Sequence, residues 1–453
     1  MTGELAATIW DRHRRWVTLG AVALIFLAAI EALAVTTVMP VVSAALDGES
    51  LYAVAFAGTL ATSVIGMVAS GAASDAKGPR AALYVSVALF LVGLVVSGAA
   101  VTMHQFLIGR LIQGLGAGGQ TVALYVVVAR LYPAQLHGRV FAAFAAAWVV
   151  PSMIGPFLAG AIADYLDWRW AFLGVAVLTA GAFAMIALHL RGIDLGGGEA
   201  LQRGVVAIRL VLSVVVAVAA VAVGFSADAA PEVGWPIAAG AVIVIALAIR
   251  PLVPRGTLRA ARGLPSVVLM RGMVAGAFFA AEAYIPYLLM EQFDFTATLA
   301  GLALTFSAFA WAGASALQGR YGERLGNTRI AAISLGLVLV ALLAVLATAV
   351  LGLSPLIVVF GWAFAGGGMG LVYPRLTVLT LAYSDAGNQG FNSSALSISD
   401  SGGSAVAIAL AGLGVASIGG GAGAFWFVFV FAIALVLLSA IPGVRLGHAA
   451  ENS

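Results

Sequence analysis

The chain has 453 residues, 62% of them hydrophobic and only 9% charged, with a mean hydropathy of +1.09 and a formal net charge of +3. A water-soluble protein of this length needs far more polar surface. Zero cysteines exclude disulfides, thiolate metal sites and thiol nucleophiles, and the five scattered histidines form no cluster with metal-ligand spacing.

Arg12, Arg14 and Arg15 lead into a long apolar run with no small-residue cleavage site, so no cleavable signal peptide is expected. Runs of about 20 apolar residues, each able to cross about 30 Å of hydrocarbon, predict helical spans. They fall at roughly 17–40, 51–72, 81–101, 105–130, 138–161 and 169–190. A second set covers roughly 267–290, 298–318, 329–350, 355–380, 389–415 and 422–441. Between the sets lie 205–226 and 234–250, for a total of fourteen, or twelve if this middle pair lies on the membrane surface. The runs are unbroken rather than alternating, which argues against a transmembrane β-barrel. The expected fold class is an all-α polytopic membrane protein: a six-helix bundle over 1–193, an inserted helix pair with its linkers over 194–264, and a second six-helix bundle over 265–453. Gly196-Gly197-Gly198 and Pro251/Pro254 punctuate the linkers.

Placing the N-terminus inside puts 19 of the 22 basic residues at cytoplasmic ends, Arg271 among them. External loops keep only Arg169 and carry Asp47, Glu49, Asp164, Asp167, Asp228, Glu232, Glu291 and Asp294. That asymmetry follows the positive-inside rule and requires both middle runs, because losing one would invert every later loop. A multi-pass protein of the plasma (inner) membrane with both termini cytoplasmic is expected. Its basic linkers would lie against anionic lipid headgroups. Nucleic-acid binding is not expected, since the bases sit in loops on one side of a membrane.

The connection from Gly71 to Arg80 reads Gly-Ala-Ala-Ser-Asp-Ala-Lys-Gly-Pro-Arg. Gly71 would let span two approach a neighbour closely, and Gly78 would permit the backbone reversal. Asp75 would act as a conformational latch, on a helix N-terminus or a base from another helix. Lys77 and Arg80 would complete the pairing or anchor to lipid phosphates; a topology signal alone is the alternative. A degenerate copy appears 248 positions later, with Gly319, Glu323, Arg324, Gly326 and Arg329. It implies duplication and a second, weaker latch at Glu323/Arg324.

Five ionisable residues fall inside spans: Glu31, Arg110, Glu282, Arg375 and Asp400. Each costs at least about 2.5–3.5 kcal/mol to insert, which makes it a functional candidate by default. Glu31 lies near mid-depth, where burial and a nearby cation act on its proton affinity in opposite senses, as a proton carrier needs; a structural pair tying two helices is the alternative. Arg110 lies about 9 Å deep at 1.5 Å per residue, so snorkelling stays open. Shifted back by the repeat offset, Glu282 falls at position 34, within one turn of Glu31. It is either a second proton site or the partner of a cationic substrate, with Tyr284 and Tyr287 as aromatic faces, unless it only locks its helix to a neighbour. Asp400, in Ser397-Ile-Ser399-Asp400-Ser401-Gly-Gly, is read evenly as proton site or packing residue. Arg375 is an interfacial or gate charge. Trp148, Phe278, Phe279, Trp311, Trp362, Phe364 and Tyr373 are candidates to line a cavity, although most aromatics in spans merely pack.

With these motifs placed, the chain resembles the major facilitator superfamily, and within it the fourteen-span drug:proton antiporter branch. The 71–80 turn matches the family's Gly-x-x-x-Asp-x-x-Gly-x-Arg loop. Arg110-Leu-Ile-Gln113-Gly114-Leu-Gly116-Ala-Gly118 resembles a segment tied to proton coupling. Gly155-Pro156-Phe-Leu-Ala159-Gly160 resembles the antiporter motif, with Pro151 and Ala159 replacing two of its glycines. Ile30-Glu31 through Pro40, and Trp168-Arg169-Trp170-Ala-Phe172, are further matches. The resemblance implies two bundles working by alternating access, with Glu31 facing Arg110.

A proton-coupled exporter of small lipophilic or amphipathic compounds is therefore expected. Glu31, Arg110 and Asp400 would serve proton coupling, and Glu282, Tyr284, Tyr287 and Trp311 the substrate. No cofactor is expected: Gly-x-x-x-x-Gly-Lys-Ser/Thr is absent and Lys77 is the sole lysine, so a proton gradient would supply the energy. Protons, membrane lipids and the cargo would be the partners of a monomer. The alternatives are a lipid or lipid-linked metabolite exporter and, more remotely, a membrane-embedded transferase, for which His104 and the external acids assemble no site.

Overall fold

A computed structural model describes residues 10–11, 14–193, 195, 203–384, 389–419 and 422–447; the side chains of Asp75 and Glu323 lie outside the described part. Fourteen helices in it are long and apolar enough to cross a membrane. In hydrocarbon every backbone N–H and C=O must be bonded internally, and unbroken apolar runs meet that demand as helices. The first six are α1 (Arg15–Ala45), α2 (Tyr52–Lys77), α3 (Pro79–Gly98), α4 (Met103–Leu131), α5 (Ala134–Tyr165) and α6 (Trp170–Leu190). The middle pair is α7 (Arg203–Phe225) and α8 (Pro231–Ala248). The last six are α9 (Leu264–Phe293), α10 (Ala297–Leu325), α11 (Asn327–Leu351), α12 (Leu356–Ala382), α13 (Gln389–Ser417) and α14 (Trp426–Gly443). Both middle runs are thus full-length helices. With fourteen such helices in alternating direction, the start of α1 and the end of α14 share one face with the Gly78 and Gly326 hairpins, the terminal face; the opposite one is the distal face.

Local chemistry sets the helix ends. Thr102 and Thr296 cap α4 and α10 on the distal side, each hydroxyl accepting a bond from the third residue on, Gln105 N–H (3.2 Å) and Leu299 N–H (3.3 Å). The α2–α3 and α10–α11 hairpins turn on one residue each, Gly78 (φ 82°, ψ 158°) and Gly326 (φ 76°, ψ 158°). That backbone region is closed to side chains, and its recurrence 248 positions apart gives the duplication a structural counterpart.

Lipid tails give apolar side chains no reason to leave them, so the helices are held by close packing of small residues. A Cβ at Gly66 would sit 2.1 Å from the Leu115 carbonyl, one at Gly118 2.0 Å from that of Ser63, and one at Gly116 2.2 Å from the Phe90 nitrogen. The glycines of the Arg110 segment therefore wedge α4 between α2 and α3. Gly366 and Gly370 seat α12 on α10 in the same manner, facing the carbonyls of Ser307 and Trp311. Gly71 departs from expectation. A Cβ there would meet Val122 at 3.7 Å, an ordinary contact, so the close approach belongs to Gly66 instead.

Gly78→Ala and Gly326→Ala should each cost about 1–3 kcal/mol, because the alanine Cβ is forced into a glycine-only conformation. Gly319→Ala, inside α10 where a Cβ meets nothing within 4 Å, should stabilise by about 0.5–1 kcal/mol. Thermal unfolding of the detergent-purified protein, followed by tryptophan fluorescence, checks both.

Candidate functional site: two charged pairs and an unpaired acid

Glu31 sits near the middle of α1, and Arg110 two turns into α4 from its distal end. Their side chains form an ion pair, each only 5% exposed. The Arg110 Nη1 also donates to Gln113 Oε1 (2.8 Å), and its Nε to the Ala55 carbonyl of α2 (3.5 Å). Arg110 is therefore drawn into the bundle and does not snorkel. Gln113 Nε2 and Thr37 Oγ1 stay buried without a bond beside this pair's helices.

Asp400 is far from that arrangement in kind as well as in chain position. Arg271 Nε donates to its Oδ1 (2.9 Å), and the Tyr373 hydroxyl donates to the same oxygen (2.7 Å). The Arg271 guanidinium lies 3.4 Å from the Tyr373 ring centroid and its Nη1 donates to the Tyr373 carbonyl (3.2 Å). This pair is more open, 14% and 26% exposed. Asp400 is thus brought together with α9 and α12 rather than with Glu31 and Arg110. Sequence places Arg271 among the cytoplasmic-end bases; the structure sets it two turns inside α9. One signal bears on it: Arg271 and Glu282 are 11 residues apart, three turns and about 20°, hence on one face of the helix.

Glu282 is buried and forms no ion pair among the described residues. The Trp362 indole N–H approaches its carboxyl but stays outside hydrogen-bond geometry. Trp362 stacks on Phe278 (5.1 Å), Phe278 meets Trp311 edge-on (5.5 Å), and Trp311 meets Tyr373 (5.0 Å). An aromatic wall therefore runs from Glu282 to the Arg271–Asp400 pair. Trp311 belongs to it, as do Phe278, Trp362 and Tyr373. Tyr284 and Tyr287 do not. Two and five residues beyond Glu282, they project from another side of α9 and pack at tilted angles against Tyr52 of α2 (5.3 and 4.9 Å) and Phe425 (5.8 and 4.9 Å).

That cluster is one part of a seal on the distal face. Asp164, at the end of α5, caps α10: its Oδ1 accepts from Ala297 N–H (3.2 Å), and its Oδ2 from Thr298 N–H (2.8 Å) and the Thr298 hydroxyl (2.5 Å). A carboxylate here meets the positive end of a helix. A Cβ at Gly160 would lie 2.5 Å from the Ala297 carbonyl, and one at Gly301 2.5 Å from that of Pro156. Gly155 has ordinary room, with Leu33 at 3.8 Å. From sequence Asp164 is only an external loop charge; its capping role needs α5 and α10 side by side. On the terminal face, Arg80 donates to the Ile193 carbonyl, and Arg130 to those of Ser74 (3.2 Å) and Leu195 (2.9 Å), all among the first six helices and the loop after them. Arg324 is exposed, and Arg375 Nε donates to Asn327 Oδ1 (2.6 Å). Both latch acids, Asp75 and Glu323, have side chains outside the described part.

A family profile described as Major Facilitator Superfamily matches residues 21–281, more than half of the chain. The chain belongs to the major facilitator superfamily. An uncharacterised transporter of Schizosaccharomyces pombe is 36% identical over 149 residues, 33% of this chain and 25% of the relative. An efflux pump, FUS6, of Gibberella moniliformis is 28% identical over 215 residues, 44% of this chain and 38% of the pump. The matched stretch is thus about a quarter to two fifths of each relative's length. Among solved structures, a peptide-transporter-type (POT family) transporter in complex with 5-aminolevulinic acid superposes with a TM-score of 0.70 over 95% of this chain and 96% of its own, at 14% identity. The human organic anion transporter MFSD10 superposes at 0.62 and 17% identity, over 96% of this chain and 100% of its own. At such identities these likenesses concern the fold alone. The family and the named relatives are transporters, which sets the transferase reading aside.

In this facilitator the distal seal depends on Asp164. Asp164→Ala removes three bonds across the α5–α10 contact, about 1–3 kcal/mol. A single cysteine at Ala53, buried at 4% exposure against Gly412 in an otherwise cysteine-free chain, should then be alkylated roughly tenfold faster. Maleimide labelling rates in proteoliposomes decide it.

Proposed function

We propose that this facilitator is a proton-coupled exporter of amphipathic small molecules of the multidrug-efflux type. It works by alternating access between bundles 1–193 and 265–453, with 194–264 inserted between them. The observation that carries the reading is the unequal treatment of two buried acids. Glu31 is matched by Arg110, whereas Glu282, in the opposite bundle, has aromatic neighbours and no cation. A matched acid suits reversible protonation. An unmatched one beside Phe278, Trp311 and Trp362 suits a lipophilic cation that brings its own charge.

In the scheme, cargo reaches Glu282 from the terminal face while the distal seal is closed. After the bundles rock, a proton from the distal side reaches Glu31. Protonation dissolves the pair, and Arg110 is retained by Gln113 and the Ala55 carbonyl. The pair and the lone acid are then offered to the two faces in turn. Asp400, held by Arg271 in the other bundle, would be a second and separate proton site. Asp75 and Glu323 would latch the terminal face when it closes. The protein would work as a monomer in the plasma membrane with both termini cytoplasmic, so that export runs from the terminal to the distal face.

Glu31→Gln leaves Arg110 buried without a partner, a loss of about 3–5 kcal/mol of pairing. It should abolish ethidium efflux driven by a pH gradient in membrane vesicles while ethidium still binds; unchanged gradient-driven efflux would sink the coupling assignment. Glu282→Gln leaves the aromatic rings and removes the carboxylate charge facing the cargo, about 2 kcal/mol. Ethidium Kd should rise roughly thirtyfold, read by fluorescence titration of the purified protein; an unaltered Kd would move the cation site elsewhere.

A further inference from the structure

Two lateral seams lie between the first six helices and the last six, one at α2–α13 and one at α5–α10. The inserted helix α7 lies along the first for its whole length. Towards the distal face, α7 presses so near α2 that a Cβ at Gly224 would meet Val54 Cγ2 at 2.6 Å. Midway, Val64 of α2, Ile398 of α13 and Leu252 just beyond α8 form a separate buried apolar cluster. Leu212 of α7, with Val68 and Ile249, packs onto it. Near the terminal face the Arg209 guanidinium sits over the Phe391 ring, 5.6 Å from its centroid. A molecule dissolved in the bilayer therefore meets protein along the whole α2–α13 seam.

The α5–α10 seam is built differently. Its distal half is closed by Asp164 and by the backbone contacts at Gly160 and Gly301. Along α10, eight of the twelve residues from Ala297 to Ala308 are buried. Over the next twelve, Phe309 to Arg320, only Gln318 is buried. The side of this stretch turned to α12 stays packed, with Trp311 and Ala314 against Gly370 and the Ser315 hydroxyl donating to the Gly370 carbonyl (3.0 Å). The side that continues the Gly301 face does not: Gly319, five turns on from Gly301, is exposed, so α10 has parted from α5 here. A Cβ at Gly313 or Gly319 would meet nothing within 4 Å. Exposed apolar side chains mark both helices here, with Phe309 at 49% and Leu317 at 57% on α10, and Trp148 at 46% and Val150 at 48% on α5. Trp311 of the aromatic wall stands in the same stretch of α10 and leads on to Phe278 and Trp362 beside Glu282.

We propose that the terminal half of the α5–α10 seam is a lateral portal through which amphipathic cations pass from the adjoining membrane leaflet to Glu282, and that α7 and α8 close the opposite seam so that access is one-sided. The occupant is a small molecule already partitioned into the bilayer. Its apolar body stays in hydrocarbon or against aromatic rings along the route, and its charge moves from the headgroup region to a carboxylate. The direction of net movement rests on the export reading; the portal does not.

Photolabelling separates the two. The full-length protein in phosphatidylcholine–phosphatidylglycerol liposomes is labelled with an aryl-azide derivative of tetraphenylphosphonium, with and without excess ethidium, and the adducts are mapped by mass spectrometry. Ethidium-protected adducts are expected on α5 at Trp148 and on α10 between Phe309 and Tyr321, with only unprotected background on other lipid-facing helices. Protected adducts on α2 or α13, or no protection anywhere, would overturn the portal. Leu212→Ala combined with Leu252→Ala should open the second seam and add protected adducts on α2 and α13. Labelling that persists at α5–α10 reports that this variant is folded; if no new sites then arise, the closing role of the inserted pair is wrong. Protected labelling of a wild type that moves no ethidium against a gradient would leave the portal standing and remove the export reading.

Discussion

A charge inside hydrocarbon has to be answered by another charge, and this chain answers twice, once on each side of its inserted helix pair. Glu31 and Arg110 tie α1 to α4, and Arg271 and Asp400 tie α9 to α13. Each of these pairs is compensated within one set of six helices. The two pairs differ in access. The first is sealed at 5% exposure on both sides; the second is 14% and 26% exposed and shares its acid with a tyrosine hydroxyl. Against that balance Glu282 stands out, an acid for which the protein supplies indole and phenyl rings and no cation.

The contact between the two sets obeys a different rule. Apolar side chains gain nothing by leaving lipid, so the bundles meet where backbones approach at glycine and where polar groups need partners. Gly160 against Ala297, Gly301 against Pro156 and Asp164 on the α10 N-terminus satisfy both conditions, and all three lie at the distal end. None of them is a large apolar interface. A contact made of a few hydrogen bonds and close-packed glycines can be broken and remade at modest cost, as the proposed rocking of the bundles would require. The inserted pair adds the opposite property, a conventional apolar cluster filling one seam, so the two sides of the molecule are not equivalent despite its internal repeat.

Much of this is legible in the residues. The spans, the glycines at the Gly78 and Gly326 hairpins and the repeat offset come from runs and motifs, and the meeting of Glu31 with Arg110 from the family resemblance. Three features are not. Arg271 reads as a loop base because the apolar run around it begins only four residues earlier, although its helix starts at Leu264. Tyr284 and Tyr287 lie near Glu282 in sequence, yet two residues on a helix differ by about 200° in direction. Gly71 carries the motif, but Gly66 makes the close approach.

These outcomes share a cause. A membrane reads hydropathy locally: about twenty apolar residues suffice to commit a segment to a helix that spans it, whatever surrounds that segment. The sequence by itself therefore determined the helices, their hairpins and most of the charges they carry. Which charge meets which, which aromatic rings face the lone acid, and which seam is filled depend on how each helix is rotated and tilted against its neighbours. Those rotations are set by glycine contacts and by hydrogen bonds between residues 49 to 231 positions apart. Only the tertiary structure decided them.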